Sequence, residues 1–219
     1  MRIRTVLFAI LALLGASLVS QAGVVYTVTL NTAPLVGLGP FALAFQFSDG
    51  SGTLDGNNAV VLSDFQFGGG TPLTSPPPFI YVGTGISGSL DSGEVDMIDN
   101  DPVGYFAQQF TPGTTLSFLL QTSTNVDDGG IFDLFTFGIA DSSYNYIPTT
   151  ALDGWDLLSI TLNSDTPTVA TYGTDYPGST SIALDAPIVS SEVPEPATWL
   201  PVGLILGGAC FRRRWLIRP

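Results

Sequence analysis

The chain contains no histidine, no lysine and a single cysteine, Cys210, and its six basic residues are all arginines. Arg2 and Arg4 lie near one end and Arg212, Arg213, Arg214 and Arg218 at the other, so no cationic side chain falls between Thr5 and Phe211. Each absence closes a class of chemistry. Without histidine there is no Ser-His-Asp or Cys-His catalysis, no imidazole proton shuttle and no His-ligated zinc. Without lysine there is no Schiff-base chemistry. Because Cys210 sits in the C-terminal segment, the body has no disulfide and must be stabilised by packing or by ions.

Carboxylates, by contrast, are plentiful: 19 Asp and Glu against six arginines leave a formal net charge of −13. Nucleic-acid binding depends on Lys and Arg neutralising phosphates, so this body repels nucleic acid, and it repels an anionic lipid surface for the same reason. Divalent cations and neutral polymers are the partners that remain. No ordinary ion pair can form inside the body, so each carboxylate must be solvated, bonded to backbone N–H groups or bound to metal.

At 219 residues the chain is long enough for one domain with a real core, flanked by two terminal segments that read as addresses. The first, residues 1–22, has a positive start at Arg2 and Arg4, an apolar stretch from Val6 to Leu14, and the small residues Ser20-Gln21-Ala22. That is a signal peptide, cut between Ala22 and Gly23 by signal peptidase. The last, residues 190–219, contains Val193-Pro194-Glu195-Pro196, an apolar run from Ala197 to Phe211, and the arginines of 212–219. As a helix the apolar run is about 22 Å long, short for a bilayer. Arg212, Arg213 and Arg214 follow it as a cytoplasmic membrane stop, with Trp199 and Trp215 at the interfaces. The prolines fix φ and disfavour helix in the residue before each, so Val193 to Pro196 is expected to be extended.

These ordered features, VPEP, a short apolar helix and a terminal arginine cluster, resemble the PEP-CTERM sorting signal of Gram-negative bacteria. The resemblance covers the last thirty or so residues. It implies an exported protein held first in the inner membrane, then processed near the motif by an exosortase-type membrane protease for the cell surface or the medium. It also implies a habitat where exopolysaccharide is made.

Between the ends, residues 23–189 are patterned with period two. "FALAFQF" puts Phe41, Leu43, Phe45 and Phe47 on one face, "TLSFLLQT" groups Leu116, Phe118 and Leu120, and "LLSITL" aligns Leu158, Ile160 and Leu162. Further strands are expected at 24–31, 59–67, 85–90, 105–111, 132–139, 168–172 and 181–184, separated by Gly-, Asp- and Pro-rich turns. The acidic stretch "DSGEVDMIDNDP" reads as a loop, and a linker to the anchor is expected from Ser191. Nine or ten short strands, each with one apolar face, call for two packed sheets: an all-β, jelly-roll-like β-sandwich. Three segments, "DGSGTLDGNNAVVLSDFQFGGG", "FTPGTTLSFLLQTSTNVDDGG" and "FDLFTFGIADSS", resemble PEP-CTERM proteins whose exported part is one β-sandwich without an established activity.

Catalysis is left with a pair of carboxylates, as in a glycoside hydrolase, but no motif selects a pair. The chain is expected not to be an enzyme. Calcium suits oxygen-rich loops, and two qualify: Asp49, Asp55, Asn57 and Asn58 in the first, with Gly50, Gly52 and Gly56 to turn carbonyls inward, and Asp96, Asp99, Asn100 and Asp101 in the second. Neither has EF-hand spacing, and Asp, Asn and Gly are also what turns are made of. Tyr144, Tyr146, Trp155, Tyr172 and Tyr176 fall in or near loops and point to the alternative, a lectin-like, carbohydrate-binding module with calcium as stabiliser. A structural or adhesive role in an extracellular polysaccharide layer needs no pocket and is the leading expectation, with no cofactor required.

Overall fold

The computed structural model describes residues 23–74, 79–125, 131–162, 167–174 and 182–192. Ala22, the VPEP motif, the apolar run and Arg212, Arg213 and Arg214 lie outside the described residues. Among the described residues no helix is long and apolar enough to cross a membrane.

The elements in chain order are β1 (Val24–Asn31), a 3-10 turn (Ala33–Leu35), β2 (Phe41–Ser48), β3 (Ala59–Gln66), β4 (Thr71–Pro72), β5 (Phe79–Val82), β6 (Ile86–Ser89), β7 (Glu94–Ile98), β8 (Val103–Thr111), β9 (Thr115–Thr122), β10 (Asp133–Asp141), β11 (Leu158–Leu162), β12 (Thr168–Thr171) and β13 (Ile188–Glu192). They form two antiparallel sheets. The first has the order β13-β1-β9-β3-β7-β6; the second runs β12-β11-β10-β2-β8-β4, with β5 also on β8.

Alternation decides what lies between the sheets. Phe41, Leu43, Phe45 and Phe47 of β2 all point inward and are buried. Register then aligns Phe45 with Phe137 on one side and Phe106 on the other. The Phe45 ring lies 5.4 Å from Phe137 and 6.0 Å from Phe106, and meets Phe118 of the opposite sheet edge-on at 5.7 Å. Each such pair adds about 0.5–1.5 kcal/mol to the burial of its rings. A single apolar core joins both sheets, which is the packing of a β-sandwich.

Three sequence expectations are corrected. The "DSGEVDMIDNDP" stretch is not all loop: β7 runs through it, because Val95 and Met97 alternate with Asp96 and are fully buried. Residues 182–184 do not form a strand. Instead the Ile182 and Leu184 carbonyls accept bonds from Thr174, at 2.7 Å from its hydroxyl and 2.9 Å from its N–H. The last strand is β13, which takes in Ser191, the residue expected to open a linker, and pairs it with Tyr26. The free edge of β1 supplies the unpaired backbone groups that draw this segment in. As Val25 pairs with Glu192, the first and last described residues leave the fold side by side, at the end where β3 starts and β9 stops.

Candidate functional site

Two kinds of constellation were foreseen in the sequence, a pair of acidic loops and a set of aromatic residues, and each is built differently from its linear pattern. The acidic one lies at the end of the sandwich from which the chain ends emerge. Asp49, just past β2, accepts the Ser51 hydroxyl and the Gly52 N–H through Oδ1, both at 2.8 Å, and the Leu54 N–H through Oδ2 at 2.6 Å. Burial alone would raise its pKa, but these donors outweigh it and hold the carboxyl below the ordinary range. Asp55 is exposed and caps its own turn, accepting the backbone and side-chain N–H groups of Asn57, both at 3.1 Å.

Asn58 turns inward and is buried. Its Nδ2 donates to the Asn125 carbonyl at 3.0 Å and to Asp133 Oδ2 at 2.6 Å, while its Oδ1 accepts the Ser123 hydroxyl at 2.7 Å and the Asn125 N–H at 3.0 Å. Its backbone N–H is shared by both Asp99 oxygens at 3.2 Å. Asp133 in turn accepts the Gly50 N–H at 3.0 Å. Only glycine fits at position 50, since a Cβ there would meet the Phe132 carbonyl oxygen at 2.0 Å. Burial pushes Asp99 up to about 7, helped by the charges of Asp133 and Asp55 and opposed by the Asn58 N–H.

The foreseen ligands therefore part company. Asn58 of the first loop meets Asp99 of the second, but Asp101 turns away to bond Thr84 at 2.8 Å, Asp96 reaches Ser87 at 3.3 Å across the sheet surface, and Asn100 is exposed beside Gly56. Among the described residues no three His, Cys, Asp or Glu side chains are grouped to hold a metal ion. Asp133, Ser123 and Asn125 complete the network; nothing local marks them, since they lie 64 or more positions from their partners.

The aromatic constellation is carried by the connection between β10 and β11, which folds back over the outer face of the second sheet. That face is paved with small residues, Ala42, Ala44, Ala107, Gly138 and Ala140, all buried although they point away from the core. Tyr146 pairs with Ala140 in an isolated bridge and lays its ring over Gly138, where a Cβ would come within 2.9 Å of it. Burial first, then the Tyr105 hydroxyl beside it, raises its pKa. Trp155 lies against Tyr146 with ring centroids 6.0 Å apart and is 47% exposed. Its backbone is pinned by Asp153, whose Oδ1 accepts the Trp155 N–H at 3.1 Å and the Asp156 N–H at 3.3 Å. Asp156 is buried and pushed up to about 7 by that burial and by a bond to the Asp153 carboxyl, against which Thr136 donates.

Of the other aromatic candidates, Tyr144 and Tyr172 are half-buried and Tyr176 lies outside the described residues. Tyr105 was not foreseen, because it sits within a strand; its signal is that β8 places it on the face opposite Phe106. No protein-family model matches this chain, and neither a curated protein nor a solved structure does.

Proposed function

We propose that this chain is a non-catalytic, exported β-sandwich of jelly-roll type, sorted through a PEP-CTERM signal and serving a structural or adhesive role in an extracellular polysaccharide layer. The observation that carries the reading is the order of features from Val193 to Pro219: VPEP, a short apolar run and an arginine cluster, opposite a signal peptide at residues 1–22. The described body agrees with it. Gly23, which follows the first address, and Glu192, which directly precedes VPEP, flank the same end of one sheet, so a body tethered there would face outward with its opposite end. The chain also passes from one sheet to the other at most of its connections, in favour of the jelly-roll type. A body without His, Lys or Cys has few means of catalysis, and its bonded carboxylates serve to close loops.

Intact mass of the mature protein from its own cells, fractionated into membrane, surface and medium, tests the proposal. A mass starting at Gly23 and ending near VPEP is expected, and replacing Pro194, Glu195 and Pro196 by alanine should leave an uncut precursor in the membrane. A wild-type mass that retains Arg212 to Pro219, or normal cutting of the triple variant, would overturn the sorting assignment.

A further inference from the structure

We propose that the outer face of the second sheet, along the line Trp155, Tyr146, Tyr105 and Val82, is a binding platform for an uncharged polysaccharide chain; this deepens the matrix reading above and rests on it. Register sets Val82 beside Tyr105, Tyr105 beside Gln46, Gln46 beside Thr136 and Thr136 beside Ser159. Three strand spacings from Val82 on β5 to Thr136 on β10 span roughly 14 Å, and the Trp155 carbonyl lies over Gly138, the next outward residue of β10, so the line can take a short run of sugar rings. Trp155 is 47% exposed and Val82 is 52% exposed, at the two ends, with the half-buried Tyr146 and Tyr105 between.

The aromatic residues are held in place before any ligand arrives. Gly138 leaves room for the Tyr146 ring, whose backbone is bridged to Ala140, and Asp153 fixes the backbone under Trp155. Little conformational freedom remains to be lost on binding, which favours affinity. Flat rings offer apolar contact to the C–H faces of sugars. The amide of Gln46 and the exposed carboxylate of Asp153 offer partners for their hydroxyl groups.

Charge selects among occupants. No cation lies between Thr5 and Phe211, so a polyuronate or other anionic polymer is repelled. A second copy of the same acidic body is repelled too. An uncharged polysaccharide meets neither barrier.

Affinity electrophoresis of the full-length chain in non-ionic detergent tests this, with hydroxyethylcellulose, dextran or galactomannan cast into native gels and alginate as the charged control. At least one neutral polymer should retard the protein and alginate should not. Trp155→Ala should weaken the retardation about tenfold, the factor expected for one stacked ring, and Trp155→Phe should restore most of it. The proposal is overturned if no neutral polymer retards the chain, if alginate retards it equally, or if Trp155→Ala, shown folded by circular dichroism, behaves as wild type. It is equally overturned if that variant turns a sedimenting oligomer into a monomer, which would assign the face to a second copy. Failure of sorting would appear in the intact mass and leave these shifts untouched; loss of the shifts with a normal cut would remove the platform alone.

Discussion

Asn58→Ala is the substitution that most directly tests how this sandwich closes at one end. The Asn58 amide has two donor hydrogens and two acceptor positions, and all four are used, on Asn125, Asp133 and Ser123. Alanine removes them together and leaves the Asp133 carboxylate, 2% exposed, without its 2.6 Å donor. A bond to a charged group contributes roughly 1.5–3 kcal/mol and a neutral one roughly 0.5–1.5 kcal/mol. Ser123 and Asn125 are only half-buried, so water recovers part of the loss and the lower ends apply. The expected cost is about 3–4 kcal/mol, a large share of the stability of a single domain. Asn58→Asp keeps the shape but replaces the donors with a carboxylate facing Asp133 and near Asp99. It should cost more than alanine at pH 8 and lose that excess on acidification. Urea denaturation followed by circular dichroism, with an unchanged m-value, is the assay. A loss below about 1 kcal/mol for Asn58→Ala, the size of an ordinary surface change, or equal stability of the two variants at every pH, would refute the reasoning.

Stability should also rise as pH falls from 8 to about 5, the reverse of the usual acidic side. Asp99 and Asp156 are both pushed up to about 7 by burial, from an ordinary value near 4, so the folded state binds protons more tightly than the unfolded one across that window. Their contribution is complete below the unfolded value and is lost as pH climbs through the folded one; a melting temperature that falls steadily from pH 8 to pH 5 would contradict both assignments. Below about pH 4 the trend should turn, because Asp49, Asp101 and Asp141 are held low and lose their backbone bonds on protonation. EDTA should leave the melting temperature unchanged, because Asp49 closes its loop on backbone N–H groups. A drop of more than about 3 °C, the equivalent of ~1 kcal/mol in a chain this size, would instead favour calcium at Asp49, Asp55, Asn57 and Asn58.

Much of the strand pattern was legible in the chain because alternation is local. β1 and β9 fall where the period-two signal puts them, and Phe41, Leu43, Phe45 and Phe47 share the buried face that their spacing predicts. What was misread had its signal masked. β7 hides two buried residues, Val95 and Met97, among carboxylates that suggest a loop, and β13 is a short edge strand recognisable only by the partner it finds on β1. The candidate loops were legible as turns but not as a network, since Asn58 depends on Asp99 and Asp133, which arrive from other connections.

The amino-acid sequence by itself determined which chemistries are absent, the all-β class and the inward face of most strands, because composition and two-residue alternation need no knowledge of neighbours. Only the tertiary structure decided that Asn58 would tie Asp99 and Asp133 together, that Gly138 on an outward face would be covered by Tyr146, and that Trp155 would be left exposed beside it. Those outcomes depend on which strands become neighbours and on how a connection folds back across a sheet. Such contacts join residues far apart in the chain, and pairing, not pattern, creates them.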